Sequence, residues 1–128
     1  MKLLLDTCAF LWVIEGGPAL SAAARTAIRD TGNEVFLSVA SVWEIVQKNV
    51  LGKLPLPESP ERFVTRYRES HGIAPLPLEE SAVFHLRRLP ALHRDPFDRM
   101  LICQALAHGL SIVTPDTLIT QYAVPTLW

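Results

Sequence analysis

Residues 2–8 read Lys2-Leu3-Leu4-Leu5-Asp6-Thr7-Cys8. Three consecutive leucines are too few for a core helix, and they do not alternate with polar residues. A strand with one wet face alternates; an unbroken apolar run suits a strand buried on both faces, as in a parallel sheet covered by helices. Asp6 closes the run. Ligands of open α/β sheets bind beyond the carboxyl ends of the strands, so an acid there stands where chemistry is done. It is equally placed to cap a following helix through the Thr7 and Cys8 amides, and both readings stand.

The rest of the chain repeats this alternation. Ala9 to Ile14 carry helical apolar spacing until Gly16, Gly17 and Pro18 break it. Ser21 is placed to cap a helix from Ala22 to Ile28. A second short apolar run, Val35 to Leu37, ends at Ser38; helical spacing resumes at Val39, Val42, Val46 and Val50 and stops at Gly52. Leu54-Pro55-Leu56-Pro57 is a stiff connector, and Ser59-Pro60 opens a helix that Gly72 closes. A further helix is expected from about Glu79 to Leu89. Asp95 and Pro96 mark the entrance of one that runs to about His108. Ser111 to Thr114 reads as a strand, Pro115-Asp116 breaks it, and Val124 to Trp128 offers a last short one. Short apolar strands between longer helices predict a single α/β domain over residues 1–128, a three-layer sandwich with a mainly parallel central sheet.

Composition narrows the function. Apolar residues make up 49% and charged residues 20% of the chain, an ordinary globular balance that excludes disorder. Net charge is −1, so a grip on nucleic acid must come from local basic patches or from bound cations. Lys48, Lys53, Arg87, Arg88, His93, Arg94 and Arg99 are available for this, with a solvated helix face as the plain alternative. Cys8 and Cys103 have no zinc spacing; two buried free thiols in a reducing, cytoplasmic setting are expected. MKLLLDTCAFLW is interrupted by Asp6 and lacks a signal-peptide cleavage pattern, and no apolar run is long enough to span a membrane. His71, His85 and His108 show no ligand spacing, and Trp12, Trp43 and Trp128 sit among aliphatics as core or interface residues do.

Four acids besides Asp6 fall near strand ends. Glu44 is either the last residue of a capping box begun at Ser41 or, with Ser38 as the cap, an acid projecting from the first turns toward the sheet end. Asp95 before Pro96 reads as an N-cap. Asp98, three residues on, either stabilises the helix dipole or points into a site, and Arg99 beside it is suited to a carboxylate or a phosphate. Asp116 lies just past a strand, where turn aspartates are common; Thr114 offers a hydroxyl beside it. Gathered together, these carboxylates repel one another and invite a cation. Oxygen donors without Cys or His suit Mg²⁺ or Mn²⁺, which polarises a phosphoryl oxygen and supplies hydroxide for in-line attack.

Four stretches carry a resemblance: LLLDT (Leu3 to Thr7), SVASVWEIVQK with GKL (Ser38 to Leu54), HRDPFDRMLICQA (His93 to Ala105) and TPD (Thr114 to Asp116). In this order they resemble the PIN-domain ribonucleases, and among them the VapC-like toxins of toxin–antitoxin systems. The resemblance implies acids around divalent metal at Asp6, Glu44, Asp98 and Asp116, with Asp95 sharing the site. It implies endonucleolytic cleavage of RNA, a cognate antitoxin and a homodimer. Leu11, Trp12, Trp43, Val46 and Val50 are the expected apolar groove for an antitoxin helix. Cys8 is the visible departure, and it costs no acid. One rival reading is a non-catalytic scaffold of the same fold that binds RNA or protein; the retained acids speak against it. The other is a phosphotransfer enzyme with Asp6 as nucleophile; its usual second acid is missing at Cys8.

Overall fold

The computed structural model describes residues 1–128. In chain order it contains β1 (Lys2–Leu5), α1 (Thr7–Glu15), α2 (Ala22–Arg29), β2 (Glu34–Ser38), α3 (Val39–Val50), α4 (Pro60–Ser70) and β3 (Ala74–Leu76). α5 (Glu80–Phe84) runs into a 3-10 turn over His85–Arg88, followed by α6 (Pro96–His108), β4 (Ser111–Val113), α7 (Thr117–Thr120) and β5 (Thr126–Leu127). The five strands form one sheet in the order β3-β2-β1-β4-β5, every pair parallel. The mainly parallel sheet expected from the sequence is thus parallel throughout.

β1 is central and shows why its leucines run together. Successive strand residues point to opposite faces. Leu3 and Leu5 pack with Phe10, Val35, Leu37, Ile45, Phe63 and Val64 on one face. Leu4 packs with Leu101, Ile102, Ile112 and Ile119 on the other. All three leucines are fully buried, so a polar residue at any of them would meet a core.

Helix entrances follow the expected chemistry. Ser21 accepts a hydrogen bond from the Ala24 amide (3.1 Å) and Ser59 from that of Arg62 (3.4 Å). Asp95 takes the amides of Phe97 and Asp98 at 2.9 and 3.0 Å, with Pro96 at the first helical position. Gly16 and Gly109 close their helices at φ 70° and 67°, which suits residues without a Cβ.

Three local features depart from the sequence reading. β3 was not expected. It carries Pro75, which a parallel sheet accepts because β3 is an edge strand with one side unpaired. α7 was not expected either, being a single turn held by its cap at Asp116. The helix expected from about Glu79 to Leu89 keeps α geometry only to Phe84. Glu79 makes no side-chain cap, and Pro90 forces Leu89 toward extended backbone, so the second half tightens into the 3-10 turn.

Candidate active site

The register of the sheet assembles the site. Leu5 pairs with Leu37 on one side and with Val113 on the other. The next residue of each strand, Asp6, Ser38 and Thr114, therefore lies on one rung at the carboxyl end of the sheet. The crossovers run from β1 through β2 to β3, then return to β4 and β5 on the far side of β1. The switch point lies between β1 and β4, the place where such sheets open a ligand crevice. A short hydrogen bond spans it: Thr114 Oγ1 donates to Asp6 Oδ2 at 2.5 Å.

Asp6 caps α1 and also faces the crevice between β1 and β4 through its bond with Thr114. Its Oδ1 accepts from the Ala9 amide at 2.7 Å, not from Thr7 or Cys8 as expected, because the capping oxygen reaches the third residue on. Burial holds its carboxyl above the ordinary value, and the charges of Asp116 and Glu44 add to this. The bonds from Thr114 and Ala9 pull the other way.

Glu44 is not a capping-box residue. Ser38 caps α3 by accepting from the Ala40 amide at 2.9 Å, so Ser41 is already inside the helix and Glu44 stands in the second turn. Its carboxylate is nearly buried and bridged on both sides. Thr7 Oγ1 donates to Oε1 at 2.5 Å, and Lys48 Nζ reaches Oε2 at 2.7 Å from one turn on. The Lys48 ammonium is held above its ordinary pKa chiefly by this hydrogen bond.

Asp98 is the most perturbed acid, pushed up to about 6 by burial, with the Asp95 and Asp116 charges adding and His93 opposing. His93 Nε2 lies 3.0 Å from its Oδ2, while Oδ1 meets no protein donor. Asp116 gives one oxygen to the Leu118 amide as cap of α7, and its own amide donates to Thr114 Oγ1 at 3.0 Å. Asp95 spends Oδ1 on two α6 amides and leaves Oδ2 unbonded. The charges of Glu44 and Asp116 thus reach Asp6, and those of Asp95 and Asp116 reach Asp98.

No three His, Cys, Asp or Glu side chains sit close enough to form a ready-made cage for an ion. A hard divalent ion that keeps several waters and takes one or two carboxylates needs none. The donors here are carboxylate oxygens and two threonine hydroxyls, with free lone pairs on Asp98, Asp116 and Asp95, and that chemistry fits such an ion.

Three assignments are corrected, those of Cys8, Arg99 and the apolar groove. Cys8 is exposed, not buried, because α1 turns that face outward. Burial of part of its side chain and the Asp6 and Glu44 charges still hold its thiol above the ordinary value. Arg99 pairs with no carboxylate: its Nη1 donates to the carbonyls of Pro90 (2.9 Å) and His93 (3.5 Å) and to the Tyr122 hydroxyl (2.9 Å). Tyr122 was not singled out from the sequence, and His93, counted there only among the cations for nucleic acid, instead sits between Tyr122 and Asp98. The HRDPFD spacing gave a signal only for His93, five residues before Asp98. Arg87, Arg88 and Arg94 are exposed. Of the expected apolar groove, Trp43, Val46 and Val50 on α3 face solvent, whereas Leu11 and Trp12 pack on the core and Trp12 meets Trp128 at 5.6 Å.

The PIN domain model matches residues 3–125, nearly the whole chain. This chain belongs to the PIN domain family. Within the family, the PIN chain is 36% identical over 74 residues to Ribonuclease VapC16 of Mycobacterium tuberculosis, a match covering 55% of this chain and 52% of that protein. It spans about half the length of this curated relative. Among solved structures, VapBC2 from Rickettsia felis, bound to a promoter DNA fragment, aligns at TM-score 0.73 and 13% identity, covering 99% of this chain and 98% of that one. VapBC-1 from Haemophilus influenzae aligns at 0.67 and 16%, with 99% and 97% coverage. FitAcB from Neisseria gonorrhoeae aligns at 0.61 and 18%, with 98% and 96% coverage. These likenesses establish a shared fold.

Proposed function

We propose that this PIN chain is a divalent-metal-dependent endoribonuclease and the toxin of a toxin–antitoxin pair. The observation that carries the reading is the sheet switch point itself, where buried Asp6 feels the Glu44 and Asp116 charges and Asp98 feels that of Asp116. Acids scattered over a surface for solubility would not repel one another as these do, nor be buried as Asp6 and Glu44 are. The ribonuclease name of the 36%-identical relative supports the reaction class.

Asp6, Glu44, Asp98 and Asp116 are the residues that would hold Mg²⁺ or Mn²⁺, with Asp95 at the edge of the set. A divalent ion held by these residues would supply Lewis-acid polarisation of the phosphate and a more acidic water. The chain's own residues prepare the site. Thr114 and Thr7 donate to Asp6 and Glu44, fixing the direction in which the remaining lone pairs point. His93 does the same for Asp98. Lys48 faces the acids from α3 and balances Glu44. With a net charge of −1, the chain has no general attraction for RNA. Exposed Arg87, Arg88 and Arg94, close in sequence to α6, are the local cations for the phosphate backbone.

The partner is a small antitoxin, the class that the family resemblance supplies and that the structural likeness to VapBC and FitAcB supports. The exposed row of Trp43, Val46 and Val50 on α3 is available either to it or to a second copy of this chain in a homodimer. No helix is long and apolar enough to cross a membrane.

Incubation of the purified chain with defined RNAs tests the reaction. Internal cleavage that needs Mg²⁺ or Mn²⁺, stops with chelator and is lost in Asp6→Asn is expected. Intact RNA under all these conditions, with folded protein, would leave the non-catalytic scaffold as the better account. Expression without a partner in a bacterial host tests the toxin role: growth should arrest for the wild type and continue for Asp6→Asn.

A further inference from the structure

Behind the His93–Asp98 pair lies a buried network of Tyr122 and Arg99 to which the proposed reaction gives no role. Tyr122, on the segment between α7 and β5, is 4% exposed, and the His93 side chain 8%. The Tyr122 hydroxyl is within hydrogen-bond distance of three nitrogens: Arg99 Nη1 at 2.9 Å, the His93 backbone amide at 3.2 Å and His93 Nδ1 at 2.8 Å. Beyond His93, the ring's other nitrogen faces Asp98 Oδ2 at 3.0 Å.

Donors and acceptors decide how the protons are arranged. A guanidinium N–H and a backbone N–H can only donate, and together they fill both lone pairs of the phenolic oxygen. The phenol's own proton then has a single acceptor in reach, His93 Nδ1. Nδ1 must therefore be bare, and a neutral imidazole with a bare Nδ1 carries its proton on Nε2. Nε2 donates to Asp98 Oδ2. The opposite tautomer would place a third donor against an already saturated oxygen and leave the phenol proton without an acceptor. An imidazolium would do the same, with the Arg99 charge alongside.

We infer that Tyr122 and Arg99 are positioning residues that lock His93 in the neutral Nε2–H tautomer, so that it donates to one oxygen of Asp98 and leaves the other for the cation. Histidines beside metal sites gain their orientation from the bond made by the far nitrogen. Here the same device is applied one shell out, to a histidine that orients a carboxylate. Arg99, adjacent to Asp98, works through this network and not through phosphate. The inference rests on the reading of Asp98 as a metal-holding acid, but the proton arrangement itself does not.

Long-range ¹H–¹⁵N correlation on the full-length, histidine-labelled chain without metal reads the tautomer directly, with the His93 signal assigned by its loss in His93→Gln. A single Nε2–H tautomer is expected in the wild type, giving way to a mixture in Tyr122→Phe. A wild-type Nδ1–H form, an imidazolium at pH 8 or a mixture would overturn the inference. So would a pure Nε2–H tautomer persisting in Tyr122→Phe. Should that variant fail to fold, Arg99→Gln frees one phenolic lone pair and must likewise produce the mixture. In the cleavage assay Tyr122→Phe should lower kcat by about 10-fold with little change in KM. An inactive wild type would sink the nuclease reading while leaving the tautomer measurement to stand or fall alone.

Discussion

At the scale of single residues, two aspartates three positions apart do different work. Asp95 gives Oδ1 to two amides at the head of α6, whereas Asp98 gives one oxygen to His93 and keeps the other free. Asp95→Asn should therefore leave activity within a few-fold of wild type, because asparagine caps as well as aspartate. Asp95→Ala should cost about 1 kcal/mol in denaturant unfolding. Asp98→Asn should reduce cleavage by at least about 100-fold, in line with loss of a group acting directly on transition-state charge, while the fold survives. Equal and complete loss in both Asn variants would make Asp95 a ligand instead of a cap. Asp6, Asp95, Asp98 and Asp116 were legible in the sequence because each stands at a strand end or a helix entrance, where short-range signals are strong, whereas Glu44 lies inside α3 and was picked out by its place after the Ser38 cap and by the SVWEI motif. The second bonds of these acids were not legible. Thr7 to Glu44 and Thr114 to Asp6 join residues 37 and 108 positions apart, and no spacing rule reports such pairs.

At the scale of elements, α3 ties the site to the core. Its cap, Ser38, also donates to Gln104 Oε1 at 2.5 Å, and Gln104 Nε2 reaches the Pro77 carbonyl at 3.2 Å, so α6 and the segment after β3 brace the end of β2. One turn inside α3, the Ser41 hydroxyl is buried with no partner. Serine in a helix interior is also poorer than alanine by a few tenths of a kcal/mol. Ser41→Ala should thus stabilise the chain by about 1 kcal/mol, seen as a higher denaturant midpoint at unchanged slope. A lower midpoint would mean that the hydroxyl has a role its packing does not reveal. Element prediction succeeded where caps and glycines punctuate the chain. It failed at β3, which depends on an edge position that only the assembled sheet supplies, and at the second half of the Glu79–Leu89 segment, where Pro90 decides.

At the scale of the whole molecule, the gathered acids set how stability responds to pH and to metal. The Asp98 carboxyl titrates near 6 in the folded chain against 3.8 when unperturbed, and that of Asp6 is also raised. Between these values the folded chain binds more protons than the unfolded one, so the slope of unfolding free energy against pH is negative. The penalty of holding these charges is present in full above about pH 6 and disappears below the unperturbed value. The metal-free chain should therefore become more stable as the pH falls from 7.5 toward 5, opposite to the usual acid loss of carboxylate stability. Asp98→Asn should flatten that trend and, at pH 7.5, be at least as stable as the wild type. A divalent ion stabilises the folded state by mass action, and protons compete with it for the same oxygens. Saturating Mg²⁺ should thus raise the melting temperature at pH 7.5 and have progressively less effect toward pH 5. Thermal unfolding at several pH values, with and without the ion, checks all of these outcomes together. Metal-free stability that rises with pH through this window would mean that the carboxylates are already balanced within the chain, by Lys48 and by the hydrogen bonds donated to them.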